Sequence, residues 1–436
     1  MMKSLRGSVT LFSSFQWLFF IFANTVVVPI SIGAAFHLPS NVTEMTMRSS
    51  LILTGIASVI QGWKGHKYPI MEGHSGLLWG VMLNLGLSAP AIGLSYTEIG
   101  GGIATGFIAA GVVTLLLAAF NLISYVQRIF PPMVMTVYLF LLTFQLIFVF
   151  FKGMLGISEY GKINIPVSLL SLCIVLFVSI LKIKGSRNIS NFSILIGMIV
   201  GWIFYAILFS DSASTMESTN ATFSFFPIGI PNLEYGIIAI SFFAGLMNLS
   251  NTFASLQAAS EVTGILAKPK QYRYSLFMTG IFSMIAPVFG LVPYTPFTSS
   301  IGFLQSTQLY ERKPFLIGGM LLAIVGLIPP IITFLATMPI TVGNAVLFVA
   351  YIQLFGTAFN STKGQIFTSN TIFRIAAPVL IGVSLMNISP DTFGDIPMYL
   401  QPFLTNGLIM GVIISIMLEK LIKWDRYEQI KERQAS

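Results

Sequence analysis

Apolar runs long enough to cross a hydrocarbon layer recur from one end of this 436-residue chain to the other. A bilayer core of about 30 Å takes about 20 residues of helix. Inside it, every backbone N–H and C=O must be bonded by the protein, which leaves helices and closed barrels as the spanning structures. The runs here, such as Ile194–Ile203, are continuously apolar rather than alternating. Barrel strands alternate, so the reading is an all-α polytopic membrane protein. Composition agrees. Hydrophobic residues make up 55% and charged residues 9%, with a mean hydropathy of +0.84, whereas a soluble chain is about a quarter charged.

Fourteen transmembrane segments are expected, at 11–34, 47–61, 70–90, 101–125, 131–151, 165–181, 190–209, 235–257, 274–292, 295–309, 314–334, 338–358, 375–388 and 400–420. With a cytoplasmic N-terminus, 20 of the 23 Lys and Arg residues fall on inner loops and termini, and only Arg48, Lys152 and Lys162 fall outside. A missed or invented span would scramble that split, so the positive-inside rule supports both the number and the orientation. Both termini are then cytoplasmic, in the cell membrane. The net charge of +8 is topological and calls for no nucleic-acid partner. No cleavage site follows the first apolar run, so that span is expected to be retained.

The segment Leu53-Thr54-Gly55-Ile56-Ala57-Ser58-Val59-Ile60 returns as Met278-Thr279-Gly280-Ile281-Phe282-Ser283-Met284-Ile285, identical at five of eight positions. Each copy leads to a proline and a patch of small residues, Tyr68-Pro69 to Gly76 in one and Val292-Pro293 to Gly302 in the other. Phe130-Pro131-Pro132 echoes Met338-Pro339 in the same way. The pairs are spans 2 and 9, 3 and 10, and 5 and 12, each seven apart. Seven is odd, so the copies face opposite ways, giving two inverted seven-span repeats, the architecture of alternating-access carriers.

Spans 3 and 10 locate the expected site. Pro293 and Pro296 cannot sit inside a regular helix, and Gly73 and Gly76 weaken one. A short extended piece followed by a half-helix is expected in each. Free N–H groups at a half-helix N-terminus can hold a polar or anionic ligand. Packing kinks are the alternative reading of these prolines and glycines. In span 8, Asn248, Asn251 and Ser255 share one helical face. Such a stripe either binds solute or bonds helix to helix. Glu72 and His74 flank the first break, as the acid and histidine available for ion coupling. The alternative is that Glu72 sits at the inner surface, paired with Lys64 or Lys67. Cys173 lies in an apolar run and reads as a small core residue. No spacing of His, Asp, Glu or Cys suggests a cofactor, metal site or catalytic pair.

These segments resemble the nucleobase–ascorbate transporters, which include bacterial uracil and xanthine permeases. Gln16-Trp17 through Thr25 to Pro29 is similar to that family's Gln-His motif and Thr-Val-x-Val-Pro end. Pro69 through Gly73-His74-Ser75-Gly76 resembles its Pro-x-x-x-Gly-x-Ser stretch. Thr295 through Ser299-Ser300-Ile301-Gly302 resembles its Thr-x-x-Ser-(Glu/Gln)-Asn-x-Gly motif, and Pro339 to Gly343 its Pro-x-x-Val-x-Gly turn. The resemblance covers nearly the whole chain in order. It implies a core domain from 1–127 and 233–334, a gate domain from 128–232 and 335–424, and a cytoplasmic tail, 425–436. A nucleobase (xanthine, uric acid-like purine or uracil) would bind between the domains, and many members couple uptake to protons. The implied substrate-binding residues are Asn24, Ser75, Gly76, Asn251, Ser255, Ser299 and Ser300. A homodimer through the gate domain is also expected.

The sequence departs from the motifs where the family places its histidine and acids. Trp17 replaces the histidine, Asn251 the span 8 carboxylate, Ser299 the span 10 carboxylate or amide, and Ser300 the following Asn. A divergent member is expected, with altered ligand or energetics. Competing readings are a sulfate-permease-type anion carrier, which usually adds a soluble C-terminal domain, a membrane-embedded enzyme, and a channel. The enzyme lacks a catalytic constellation, and the inverted repeat speaks against a channel.

Overall fold

The computed structural model describes residues 2–122, 131–157, 162–186, 189–190, 192–209, 224–362, 365–393, 396–397, 400–422 and 424. The end of window 4, residue 191 in window 7, most of the 211–231 segment and the 425–436 tail, with its expected cations, lie outside them. Each of the fourteen windows holds a helix, or a strand followed by a helix.

Span 1 comprises helices Met2–Thr25 and Val27–Ala35. Its break precedes Pro29, which has no N–H to bond the Thr25 carbonyl. Span 2 is Ser40–Trp63 and span 4 is Tyr96–Ala119. Span 4 opens with a reciprocal Ser95–Glu98 cap that satisfies two otherwise unpaired donors. Spans 5, 6 and 7 are Pro132–Met154, Ile165–Lys184 and Ser193–Leu208. Span 8 is divided into Tyr235–Met247 and Leu249–Thr263 at Asn248. Span 9 is Pro269–Val288, span 12 Ile340–Asn360 and span 13 Ser369–Met386. Span 14 is a short piece, Gln401–Thr405, and a helix, Gly407–Leu421.

Two expectations are corrected. Window 11, expected as one segment, is two helices, Arg312–Gly326 and Pro329–Ala336, bent by 84°. Pro329 and Pro330 head the second helix and cannot continue the first. Cys173 is exposed on span 6, because an apolar residue in a membrane helix has lipid as an alternative to the core. Of the described helices, six are long and apolar enough to cross a bilayer, or seven counting the bent pair. The broken spans fall short in length, and spans 2 and 9 carry charged and hydroxyl residues at their ends.

Spans 3 and 10 are interrupted as their prolines and glycines predict. Strand β1 (Glu72–His74) precedes the half-helix Gly76–Leu87, and strand β2 (Tyr294–Pro296) precedes the half-helix Ser299–Thr307. The strands pair antiparallel, Glu72 with Pro296, Gly73 with Thr295 and His74 with Tyr294. Each strand therefore satisfies the other's backbone at a depth where water is absent.

The main helix packings repeat at the seven-span offset. Span 4 packs on span 9 as span 11 packs on span 2, and span 8 on span 4 as span 1 on span 11. Span 14 meets spans 13 and 5 as span 7 meets spans 6 and 12, while spans 5 and 12 pack on each other. The repeated Thr-Gly pair has matching roles. Thr54 bonds the Tyr294 hydroxyl at 3.3 Å, and Thr279 donates to Glu72 Oε1 at 2.7 Å, so each threonine holds a strand of the opposite repeat. The adjoining Gly55 lies against Gly319 and Ala323 of span 11, and Gly280 against Gly111 and Leu115 of span 4.

Candidate solute site at the crossed strands

A cavity of about 240 Å³ lies against the crossed strands, lined by span 1, the two half-helices, span 8, and residues of spans 5, 6, 7 and 12. Its apolar walls include Phe20, Phe297, Phe303 and Tyr351. Phe20 and Phe303 stack with their centroids 4.4 Å apart. Its polar lining includes Asn24, Asn251, Thr295, Thr298 and Ser299, and Lys182 is the one charged residue among its lining groups.

The span 8 amides are oriented by their partners. A carbonyl can only accept, so Asn248 Nδ2 faces Tyr294 O at 3.1 Å. Its Oδ1 then accepts from Ser75 Oγ at 2.7 Å and from Asn251 Nδ2 at 3.2 Å. Asn251 spends one N–H on that bond, lies beside the buried Tyr138 hydroxyl, and turns the rest of its amide to the cavity. Asn24 likewise donates to Phe20 O at 2.8 Å, which leaves its carbonyl oxygen as an acceptor. Thr295 lines the cavity and is buried, with a hydroxyl that has no protein partner. An unpartnered buried hydroxyl is costly unless a ligand or water meets it.

Of the expected binding residues, the cavity brings together Asn24, Gly76, Asn251 and Ser299. The other three act behind it. Ser75 caps the span 3 half-helix through Leu78 N and bonds Asn248. Ser255 donates to Pro296 O and shares a 2.9 Å bond with Thr298. Ser300 accepts from Met71 N at 3.1 Å, tying span 10 to span 3. Trp17, in place of the family's histidine, is fully buried against Phe303 and Phe315.

Glu72 and His74 also lie outside the lining. Both are buried. His74 Nδ1 faces Val292 O at 2.8 Å and must carry its proton, while Nε2 meets Ser50 Oγ at 2.6 Å. The inner-surface reading of Glu72 is overturned, since no side-chain surface is left to reach Lys64 or Lys67, and among described residues the recorded ion pair is Arg374–Glu419.

Sequence reasoning missed Phe20, Phe303, Tyr351, Thr295 and Lys182 as lining groups. The aromatics carry no signal in an apolar helix. Thr295 was visible only as the first residue of the span 10 motif. Lys182 was counted among the inner-loop cations.

Known proteins resemble this chain over most of its length. YwdJ of Bacillus subtilis, named as a purine permease, is 28% identical over 94% of this chain and 95% of its own length. The uric acid transporter UacT of Escherichia coli is 23% identical over 92% of this chain and 84% of its own. Among solved structures, the transmembrane domain of the cyanobacterial bicarbonate transporter BicA superposes with a TM-score of 0.63 at 15% identity, covering 92% of this chain and 97% of that one. SLC26A9 matches with a TM-score of 0.64 at 12% identity, over 93% of this chain and 65% of its own. At such identities these two share the fold alone. The profile of the xanthine–uracil permease family matches residues 8–390. The chain belongs to that permease family, the nucleobase–ascorbate transporters, and is a membrane transporter rather than an enzyme.

Proposed function

We propose that this protein carries purine bases, xanthine or uric acid-like, across the cell membrane by alternating access. The observation that carries the reading is the cavity itself. It offers aromatic faces for a flat ring together with neutral amide and hydroxyl groups for its edges. Asn24, with its carbonyl oxygen unspent, and the amide of Asn251 line it, which suits a ring edge of N–H and carbonyl groups. The purine and uric acid names of the relatives support the same class. The binding set is Asn24, Gly76, Asn251, Thr295 and Ser299, held from behind by Ser75, Ser255 and Ser300. A thermal-shift screen of the purified protein against xanthine, urate, hypoxanthine, adenine and uracil tests it. Stabilisation by oxopurines is expected, and a flat response to every base would overturn the reading.

The same proposal includes fourteen crossings, cytoplasmic termini, and a core of 1–127 and 233–334 moving against a gate of 128–232 and 335–424. Contacts between element ends support it, because each joins ends expected on one surface. Arg374 meets Glu419, Gln271 meets His66 O, Arg273 meets Ala118 O, and Thr136 meets Ser361 on the inner side. Thr333 meets Glu44, and Asn232 meets Glu98 O, on the outer side. The cavity reaches Lys182 and Ser190 at the connection between spans 6 and 7, which in this topology faces the cytoplasm. Self-association through the gate belongs to the proposal and is tested by cross-linking in membranes.

Lys182 favours a second reading, a carrier of another small anionic solute, since the cavity's one charged lining residue is a cation. Sulfate and bicarbonate uptake by reconstituted protein separates the two.

A further inference from the structure

Among the described residues, the cavity lining contains no Asp or Glu, so they offer no carboxyl at the site to carry a proton. One acid is built into the strand beneath it. Glu72 pairs in register with Pro296, a lining residue whose carbonyl is held by Ser255. Among the described residues Glu44 and Glu72 are the buried acids, and only Glu72 has no exposed surface at all. Its Oε1 accepts from Thr279 at 2.7 Å, while its Oε2 is buried with no partner.

Glu72 faces neutral groups. Span 2 contributes Ser58, bonded to its backbone, and Gln61 against the carboxyl. Span 9 contributes Thr279, which also accepts from Gln61, and β2 contributes Tyr294. Span 1 has no titratable side chain between Gly7 and Phe36. His74, two residues along β1, has both ring nitrogens committed, to Val292 O and Ser50. No cation pairs with Glu72 among the described residues. An isolated carboxylate in such a place is strongly disfavoured, whereas a neutral carboxyl is not.

The fold does not require an acid here. Tyr294 opens β2 as Glu72 opens β1, and it meets Thr54 as Glu72 meets Thr279. A phenol serves the same anchoring role in one repeat that the carboxyl serves in the other. We infer that Glu72 is the proton-carrying group of the transport cycle. One proton adds to the carboxylate at Oε2, the oxygen without a donor, and the strands and bound solute move with Glu72 neutral. The proton leaves on the other side and restores the carboxylate. A proton needs only this one oxygen.

This inference rests on the transport reading, and its test separates the two. Full-length protein is reconstituted in liposomes with radiolabelled xanthine. Under an inside-alkaline gradient of one pH unit, one proton per base drives accumulation of about tenfold. The wild type is expected to approach that value. Glu72→Gln, an amide of the same shape, is expected to keep xanthine counterflow without accumulation, a ratio near one. Glu72→Gln accumulating as well as wild type, or wild-type accumulation driven only by a sodium gradient, would overturn the inference. Should Glu72→Gln fail to give monodisperse protein, Glu72→Asp decides: a displaced pH profile for accumulation supports the assignment, and a wild-type profile overturns it. A wild type without counterflow of xanthine, urate, hypoxanthine or uracil would overturn the transport reading, and this inference with it.

Discussion

Asn251 stands where the family motif has a carboxylate, and its neighbours show why an amide can serve. Tyr294 O orients Asn248, Asn248 orients Asn251, and Asn251, beside the Tyr138 hydroxyl, presents the rest of its amide to the cavity. Truncation would remove that amide while leaving Asn248 bonded to Ser75 and Tyr294. We expect Asn251→Ala to weaken base binding by about 1–3 kcal/mol, roughly five- to 150-fold, in a protein that still folds. Isothermal titration against the preferred purine measures it, and unchanged affinity would reduce Asn251 to a link between helices. Thr295 has an unpartnered hydroxyl in the same cavity. Thr295→Val should cost affinity while keeping or raising thermal stability, because it removes a polar group that the protein leaves unsatisfied. A thermal melt of the unliganded variant, paired with its binding curve, separates the two effects.

At the scale of elements, the repeated Thr-Gly pair explains why so short a fragment survives in both halves. The threonine reaches a strand of the opposite repeat, and the glycine lets a neighbouring helix approach. A Cβ at Gly55 would lie 2.5 Å from Gly319 O and 2.7 Å from Ala323 N, both backbone atoms that cannot rotate away. At Gly280 the nearest approaches are 3.1 Å, to Gly111 O and Leu115 N. Gly55→Ala should therefore destabilise by about 1–3 kcal/mol, and Gly280→Ala by less. Melting temperatures in detergent rank the two, and an equal effect would mean that spans 2 and 11 can part more easily than their packing implies. The proline signals worked at this scale because a missing N–H acts locally. The bend of span 11 escaped notice for a related reason. Pro329 and Pro330 lie near the end of an apolar window, where a helix end and a helix break read alike.

For the whole molecule, the basic residues and the contacts between element ends argue for one topology. In a variant lacking Cys173, a cysteine at Ser214 should react with an impermeant maleimide added to intact cells, and one at Ser436 should react only after permeabilisation. Both positions lie outside the described residues, so the expectation comes from the 20-to-3 charge split. The reverse pattern would reject the span count. The seven-span packing symmetry makes a broader point. Spans 2 and 9 enclose the crossed strands because each strand must find its backbone partners in the opposite repeat.

The sequence by itself determined the helical membrane class, the inverted repeat, the two broken spans and the family. Each of these rests on a local or periodic constraint: hydrocarbon thickness, backbone hydrogen bonding in lipid, charge sidedness and proline chemistry. Only the tertiary structure decided which side chains meet the cavity. Ser299 and Ser300 are adjacent, yet one lines the cavity and the other holds Met71. Asn248 and Asn251 share a stripe, yet the first orients the second. Glu72 and His74 are the two ends of strand β1, yet both are buried and neither lines the cavity. In a membrane helix every face can be apolar, so periodicity does not separate faces turned to lipid, to protein or to a cavity. That choice is made by the packing of spans far apart in the chain.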